Sequence, residues 1–500
     1  MTFMHIGKNY TPPDVEGKVT GEAKYVEDYQ KEGMVYARLY TSPMPSGRVV
    51  NIDATEALRM DGVLGILTAD DLPPSSAPDE PILASADVTY VGQPILAIAA
   101  ISDDIAESAL ARIKVDIESR DFVIDPLDAL IEGGPNAYPD GNVLKQSEAL
   151  LDENATIRGG IATIKWPASE VERFRNGQEP RNVEFADGWA YGDLDAAFAE
   201  AEVIVEQPFL TAGTPHHCME PRSAMSYWEN GKCYFYGSTQ SQSAVLDSLS
   251  SLLGIEEENL CLISPNTGGG FGSKGRSYPM MGVCGYFSRI LNRPVQLRIT
   301  REQEFYIGVG RPGMQGWVKA GVRADGTVSA IDVIIISDGG PTGRNSASSS
   351  AQHLSVVYTP DAMRLRNTPV FTNTTPRGAQ RGPGQNEMSA AIAPIMANKY
   401  MAAKQLGMDR MEFRRINAPH SESPIYENRR PMTSAFLGEA IDMASDIFNW
   451  REKESQPRQR NGSKVRGVGV GTGYHSAGGY GYDGLVRIGP DGKIYLHSGV

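Results

Sequence analysis

The sequence predicts a mixed α/β (α+β) fold of more than one domain, and three observations predict it. Apolar runs of strand length alternate with short helical patterns near the start of the chain and again after residue 193. Glycine, at 53 of 500 residues, and proline, at 32, are too frequent for a helical bundle and fit many loops threading between elements. A chain of 500 residues also exceeds one ordinary domain, so roughly two to four cores are expected.

Taken in order, residues 34–40 read as a strand and 54–58 as a short helix. Residues 63–67 and 95–100 are apolar runs of strand length, and 103–113 has helical spacing with an acidic start at Asp103-Asp104 that suits a helix N-terminus. Residues 1–125 thus read as one compact α/β unit. From 126 to 192 the pattern weakens. Gly133-Gly134-Pro135, Gly159-Gly160 and a charged helical piece near 169–175 suggest a connector wrapped over other parts. Trp166 and Trp189 bracket a stretch expected to cover the entrance to a site. The remaining unit, 193–500, opens with a helix at 194–201 and a strand at 203–206, and continues as mixed α/β through an apolar segment at 233–236, a strand at 260–263 and a helical pattern at 436–443. Residues 493–500, after the Pro490-Asp491-Gly492 turn, read as a lone strand in need of partners. That reading implies a shortened sequence or a second polypeptide that continues the fold.

Charge and composition exclude several classes. A formal net charge of −14 and a pI near 5.1, without a clustered basic stripe, argue against a nucleic-acid surface. No stretch of about 18 apolar residues spans a membrane, and the N-terminus lacks a basic region followed by an apolar one, so a cytoplasmic protein is expected. Cys218, Cys233, Cys261 and Cys284 contain no Cys-x-x-Cys pair and read as reduced, buried thiols rather than ligands of zinc or an iron–sulfur cluster.

The densest chemical signal is Gly268-Gly269-Gly270-Phe271-Gly272-Ser273-Lys274, at the end of an apolar run. Consecutive glycines leave the backbone bare, so a large polar group can approach its N–H donors. Lys274 reads as the anchor of this loop. Upstream lies Ser238-Thr239-Gln240; downstream lies Pro376-Arg377-Gly378-Ala379-Gln380-Arg381-Gly382-Pro383-Gly384-Gln385. If the three loops converge, Gln240 offers an amide, the glycine loop offers backbone donors, and Arg381 offers a cationic fork, a set suited to an oxyanion-rich cofactor. The loop 339–345 is the guess for substrate contact, through Gly340 and Arg344. Adjacent His216 and His217, in a strand-like context, would point to opposite faces, which favours polar packing over metal binding. No dinucleotide fingerprint is present, since no Gly-Lys-Ser/Thr phosphate loop follows the glycines.

On these residues the chain resembles the large, molybdenum-binding subunit of the xanthine oxidase, or molybdenum hydroxylase, family. The resemblance includes Gly21 to Asp28, Tyr90-Val91-Gly92-Gln93-Pro94, His217-Cys218-Met219-Glu220-Pro221, Ser238-Thr239-Gln240, the glycine loop, Arg381 to Gln385, and Leu406 to Asp409 leading to Arg414-Arg415-Ile416-Asn417. It implies an α/β hammerhead domain followed by the first part of the molybdopterin-binding domains. It further implies that Gln240 hydrogen-bonds an oxygen ligand of molybdenum, with Arg381 in the loop beside pterin and metal. Gly269, Gly270, Phe271, Gly272 and Gly382 would complete the cofactor contacts. On the same resemblance, no residue of the chain would ligate the metal directly, the pterin holding it.

The implied reaction is hydroxylation of an aldehyde or an N-heteroaromatic ring carbon, with water as the oxygen source. The implied cofactor is molybdopterin, its cytosine dinucleotide form included. Electrons would leave through a small [2Fe-2S] subunit to an FAD subunit, because these cysteines cannot hold the clusters. The family's second cofactor-contacting region and its general-base glutamate would lie beyond residue 500, on a chain or segment completing the molybdenum domain. The chain alone is then expected to be inactive. Glu439 sits in a helical pattern and reads as helix surface, not as that base. Gly275 stands where purine-oxidising members carry a glutamate, which disfavours purines, and the absence of cysteine from 285 to 500 disfavours a copper–molybdenum centre. Reductive dehydroxylation or hydration-coupled oxidation of a ring is the alternative within enzymes. A cofactor-free scaffold is the alternative outside them, and it gives no reason for Gln240, Phe271-Gly272 and Arg381 to occur together.

Overall fold

The computed structural model describes residue 4 and residues 7–73, 81–145, 160–397, 402–456, 460–474 and 484–498. Two seven-stranded sheets carry the fold. The first runs Leu260–Ile263, Lys232–Gly237, Ser223–Glu229, Val295–Arg298, Val35–Thr41, Pro94–Ala100, Val63–Leu67. Val35–Thr41 alternates buried and part-buried side chains, as a strand with one face on a core must. It pairs antiparallel with Pro94–Ala100 and parallel with Val295–Arg298, placing Val35 opposite Val295. The sheet therefore crosses residue 125, and Val35, Ala37 and Leu39 share one core with Phe235, Val295 and Leu297. What reads in sequence as a self-contained first unit gives its central strands to a common sheet. Helices Gln242–Leu253 and Pro279–Leu291 cover this sheet with Leu249, Met281 and Phe287. Proline starts the second helix because a first-turn residue needs no N–H partner.

The second sheet runs Val203–Thr211, Met314–Val322, Val328–Asp338, Ala362–Val370, Val143–Leu144, Ile161–Ala162, with Asp187–Tyr191 also paired to Ala362–Val370. Val328–Asp338 is buried along its whole length, so both of its faces are covered. Side-chain alternation divides the work. Val333 and Ile335 face the helix Ala347–Tyr358, while Ile334 and Ile336 pack with Trp166, Phe174 and Trp317.

The second cover comes from the described residues of 126–192, the segment read above as a wrapped connector. Its helices Pro126–Leu130 and Ala168–Arg175 and its short strands are built into the sheet and its core. Trp166 is completely buried, its Nε1 donating to the Glu184 carbonyl at 2.9 Å. Trp189 sits on the Asp187–Tyr191 strand, stacked on Tyr191 at 6.1 Å, and its Nε1 donates to Ser348 Oγ at 3.3 Å. Both tryptophans are walls of the second sheet, where the stretch between them was expected to cover the entrance to a site.

The terminal strand is also not alone. Ile494–Ser498 pairs antiparallel with Gly484–Ile488 around the Pro490-Asp491-Gly492 turn, where Lys493 N donates to Asp491 Oδ1 at 3.2 Å. Leu485, Val486, Ile488, Ile494 and Leu496 are exposed on this hairpin. The helix expected at 436–443 extends over Leu437–Phe448. Among the described residues no helix is long and apolar enough to cross a membrane.

Candidate functional site

The two sheets are joined by the loop 212–222, which leaves the strand Val203–Thr211 of one and enters Ser223–Glu229 of the other. Three more loops meet it: 238–241, 264–278 and 371–384, each following a strand end. The polar segments singled out in sequence therefore converge where the sheets join.

Gln240 Oε1 accepts the Gly272 N–H at 2.8 Å, and the Gln240 backbone N–H donates to the Lys274 carbonyl at 3.1 Å. With its carbonyl oxygen thus occupied, the amide keeps its Nε2 donor, which has no protein partner among the described residues. The glycines are needed for a reason that sequence does not reveal. A Cβ would lie 2.4 Å from Glu220 Cβ at Gly268, 2.3 Å from Gln240 Oε1 at Gly270, and 2.5 Å from the Ala379 carbonyl oxygen at Gly272. The loop is wedged against three neighbours, and its remaining side is open to a cleft.

Phe271 adopts φ 53°, a left-handed conformation that costs an aromatic residue about 1–3 kcal/mol. Its neighbours hold it there. The Arg381 N–H donates to the Phe271 carbonyl at 2.7 Å, and the Arg381 guanidinium lies 5.1 Å from the ring centre. This pair stands between two clefts. One, of about 470 Å³, is lined by Gln240, Thr267 and residues 269–272 and 379–383. The other, of about 730 Å³, is lined by Thr214, His216, Arg311, Gln385, Asn386 and Tyr474 among others. Phe271, Gln380, Arg381 and Gly382 line both. Arg381 is exposed and has no acidic partner among the described residues.

Arg311, which sequence reasoning missed, and His216, which it read as polar packing, hold the Arg381 loop. Arg311 is buried; its Nε donates to Gln380 Oε1 at 2.7 Å, its Nη2 to the Arg381 carbonyl at 2.7 Å, and its Nη1 to Glu387 Oε2 at 3.0 Å. Glu387 neutralises it, so Arg381 carries the unbalanced charge. The sequence marks Arg311 only by its place between Gly310 and Pro312. His216 Nε2 donates to the Ala379 carbonyl at 2.8 Å, which fixes the proton on Nε2 because a carbonyl only accepts. Burial pushes its pKa down to about 4, against the pull of that carbonyl, so the ring is neutral.

The strand expected around His216-His217 is absent. Both lie in the joining loop, and His217 turns away through a left-handed backbone, φ 53°, to meet Phe305 at 5.3 Å. No cluster of three or more His, Cys, Asp or Glu that would hold a metal ion occurs among the described residues. Gly340 and Arg344 line neither cleft. Gly340 is buried, its N–H donating to Asp338 Oδ1 at 3.1 Å, and Arg344 is exposed. Cys218, Cys233 and Cys284 are buried free thiols and Cys261 is half-buried. Burial pushes the Cys233 and Cys284 thiols up to about 12.

The face shared by Gln240 Nε2, the glycine loop and Arg381 thus offers donors and positive charge. That chemistry fits an anionic, oxygen-rich group.

Comparison with known proteins bears on which group. Residues 20–121 match the family model of the aldehyde oxidase and xanthine dehydrogenase a/b hammerhead domain, and residues 174–418 match that of the molybdopterin cofactor-binding domain. The chain is 26% identical to a probable hypoxanthine oxidase of Escherichia coli K12, over 99% of this chain and 54% of that protein. It is 27% identical to a probable xanthine dehydrogenase subunit of Bacillus subtilis, over 97% of this chain and 61% of that protein. It is also 27% identical to the nicotinate dehydrogenase large molybdopterin subunit of Eubacterium barkeri, over 89% of this chain and 96% of that protein. Among solved structures, the aldehyde oxidoreductase of Desulfovibrio gigas shares the fold, with TM-score 0.80 and 23% identity over 98% of this chain and 52% of that one. The chain therefore spans little more than half of several relatives and nearly all of one.

Proposed function

The chain belongs to the xanthine oxidase, or molybdenum hydroxylase, family, and on that premise we propose that it is the molybdopterin-binding part of an oxidoreductase. The reaction is hydroxylation of an aldehyde or a ring carbon beside nitrogen, with oxygen taken from water. The observation that carries the reading is the meeting of Gln240, the glycine loop and Arg381 on one cleft, where they bring an amide donor and a positive charge together. When bound, the molybdenum–pterin group supplies two-electron redox chemistry that no side chain has.

The chain's own residues bind and orient. Gln240 presents Nε2 to an oxygen of the group, its orientation fixed by the bond from Gly272 to Oε1. Arg381 balances the group's negative charge, stacked on Phe271 and held from behind by Arg311. His216, neutral above about pH 5, fixes the Ala379 carbonyl without adding charge to the cleft. The nucleotide form of the pterin falls within the same proposal.

Electrons leave through a small [2Fe-2S] subunit and an FAD subunit, since the four cysteines are dispersed and three are buried. The general base, and the rest of the cofactor cradle, come from a further segment or chain. The likeness to nicotinate dehydrogenase favours an N-heteroaromatic substrate, and Gly275 disfavours a purine.

Gln240→Ala in the intact complex tests this reading. Molybdenum content should be retained while turnover falls about tenfold or more, the scale of losing a preorganised donor. Parental turnover would overturn it.

A further inference from the structure

Behind the cleft lies a set of buried charges that the proposed function does not use. Lys274 is completely buried. Its ammonium donates to the Glu220 carbonyl at 2.7 Å, to Ser238 Oγ at 2.7 Å and to Glu220 Oε2 at 3.3 Å, so its three donors meet three acceptors. Glu220 Oε2 also accepts from Ser238 Oγ at 2.6 Å and from the Gly268 N–H at 2.8 Å. The Lys274 carbonyl accepts from Thr239 Oγ1 at 2.9 Å and from the Gln240 N–H at 3.1 Å. One residue thus grips the joining loop and Ser238 with its side chain, and Gln240 with its backbone.

A second buried pair stands beside the first. Arg222 is ion-paired with Glu304, and its Nη2 donates to the Ser273 carbonyl at 2.7 Å. The two pairs sum to zero charge. Burial pulls the Lys274 ammonium toward deprotonation, and the Glu220 charge opposes it.

We infer that Lys274 and Glu220 are positioning residues for Gln240 and the 268–272 loop, a paired brace that sets where their donors point into the cleft. Stability alone does not call for such a pair, since buried ion pairs are commonly no more stabilising than apolar side chains of the same size. Direction does. The bonds of this pair run to 220, 238, 239, 240 and 268, at the roots of three loops that meet at the cleft. An ammonium donates in three diverging directions from one point, which the planar fork of an arginine does not reproduce.

The consequence for turnover rests on the reading of the cleft as a cofactor cradle; the consequence for loop order does not. Four variants of the isolated complex separate them: Ser238→Ala, Lys274→Met, Lys274→Arg, and Lys274→Met with Glu220→Gln. The readouts are hydrogen exchange of a peptide covering 265–276, the thermal midpoint, molybdenum content, and kcat with KM.

Lys274→Met should be strongly destabilised, and the double variant should recover most of that loss because it leaves no unpaired charge. In Ser238→Ala and in the double variant, the Gly268 and Gly272 amides should exchange about tenfold faster. Their kcat should fall about tenfold with KM within about twofold, and Lys274→Arg, which keeps the charge but not the three-way donor geometry, should show the same fall. A stable double variant with parental exchange would overturn the inference, as would parental exchange in Ser238→Ala; either would make the pair a charge balance only. Faster exchange with parental kcat would support the brace and contradict the cradle reading.

Discussion

Gly270 has no room for a side chain because Gln240 occupies the space a Cβ would fill, only 2.3 Å from its Oε1. Valine there would displace Gln240 or the loop. Gly270→Val should therefore assemble with its partners yet carry less than about a tenth of the parental molybdenum, a loss on the scale of one misplaced contact set. Elemental analysis of the purified complex checks this, and normal metal content would contradict the cradle. His216 makes a second residue-scale prediction. Its pKa falls from the usual 6.5 to about 4 on folding, so below pH 6.5 the unfolded chain binds the proton that the folded chain refuses. The stability conferred by this burial is complete above pH 6.5 and is lost as the pH falls toward 4, by about 2 kcal/mol at pH 5. The thermal midpoint should drop between pH 7.5 and pH 5, and in His216→Gln the drop should be visibly smaller. Equal drops would contradict the assignment.

At the scale of elements, the described residues of 126–192 are part of the second sheet and its core, with Trp166 among Phe174, Trp317 and Ile334. Trp166→Ala should destabilise by about 3–5 kcal/mol, the cost of emptying a large core site. The kcat of protein that remains folded should stay within about twofold of the parent, because Trp166 lines neither cleft. A fall in kcat without loss of thermal midpoint would restore the entrance role. Local elements such as Val63–Leu67 and Pro94–Ala100 were legible because apolar runs bounded by polar residues carry their own signature. The cleft was legible through Gln240, the glycine run and Arg381, residue types whose chemistry is unusual in a loop. Arg311 was not, because a single arginine beside a proline looks like any turn. The turn at His217 was not, because nothing in a histidine codes for φ 53°. Nor were Val143–Leu144 and Ile161–Ala162, which are too short to show alternation.

For the whole molecule, the pairing of Val35 with Val295 joins the matched hammerhead region to the matched cofactor-binding region in one sheet. Long-range pairing of that kind leaves no local mark, so the sequence reads as separate units where the structure has a shared sheet. The same continuity is what places the joining loop 212–222 there, with His216 on the larger cleft and Glu220 buried behind the glycine loop. The most direct test of the central claim is the metal content of the chain isolated from its native host with whatever stays bound, measured by elemental mass spectrometry beside the masses of the polypeptides. The account predicts about one molybdenum and about four irons per copy, the irons belonging to two [2Fe-2S] clusters on a companion polypeptide. A folded, complete complex without molybdenum would contradict it.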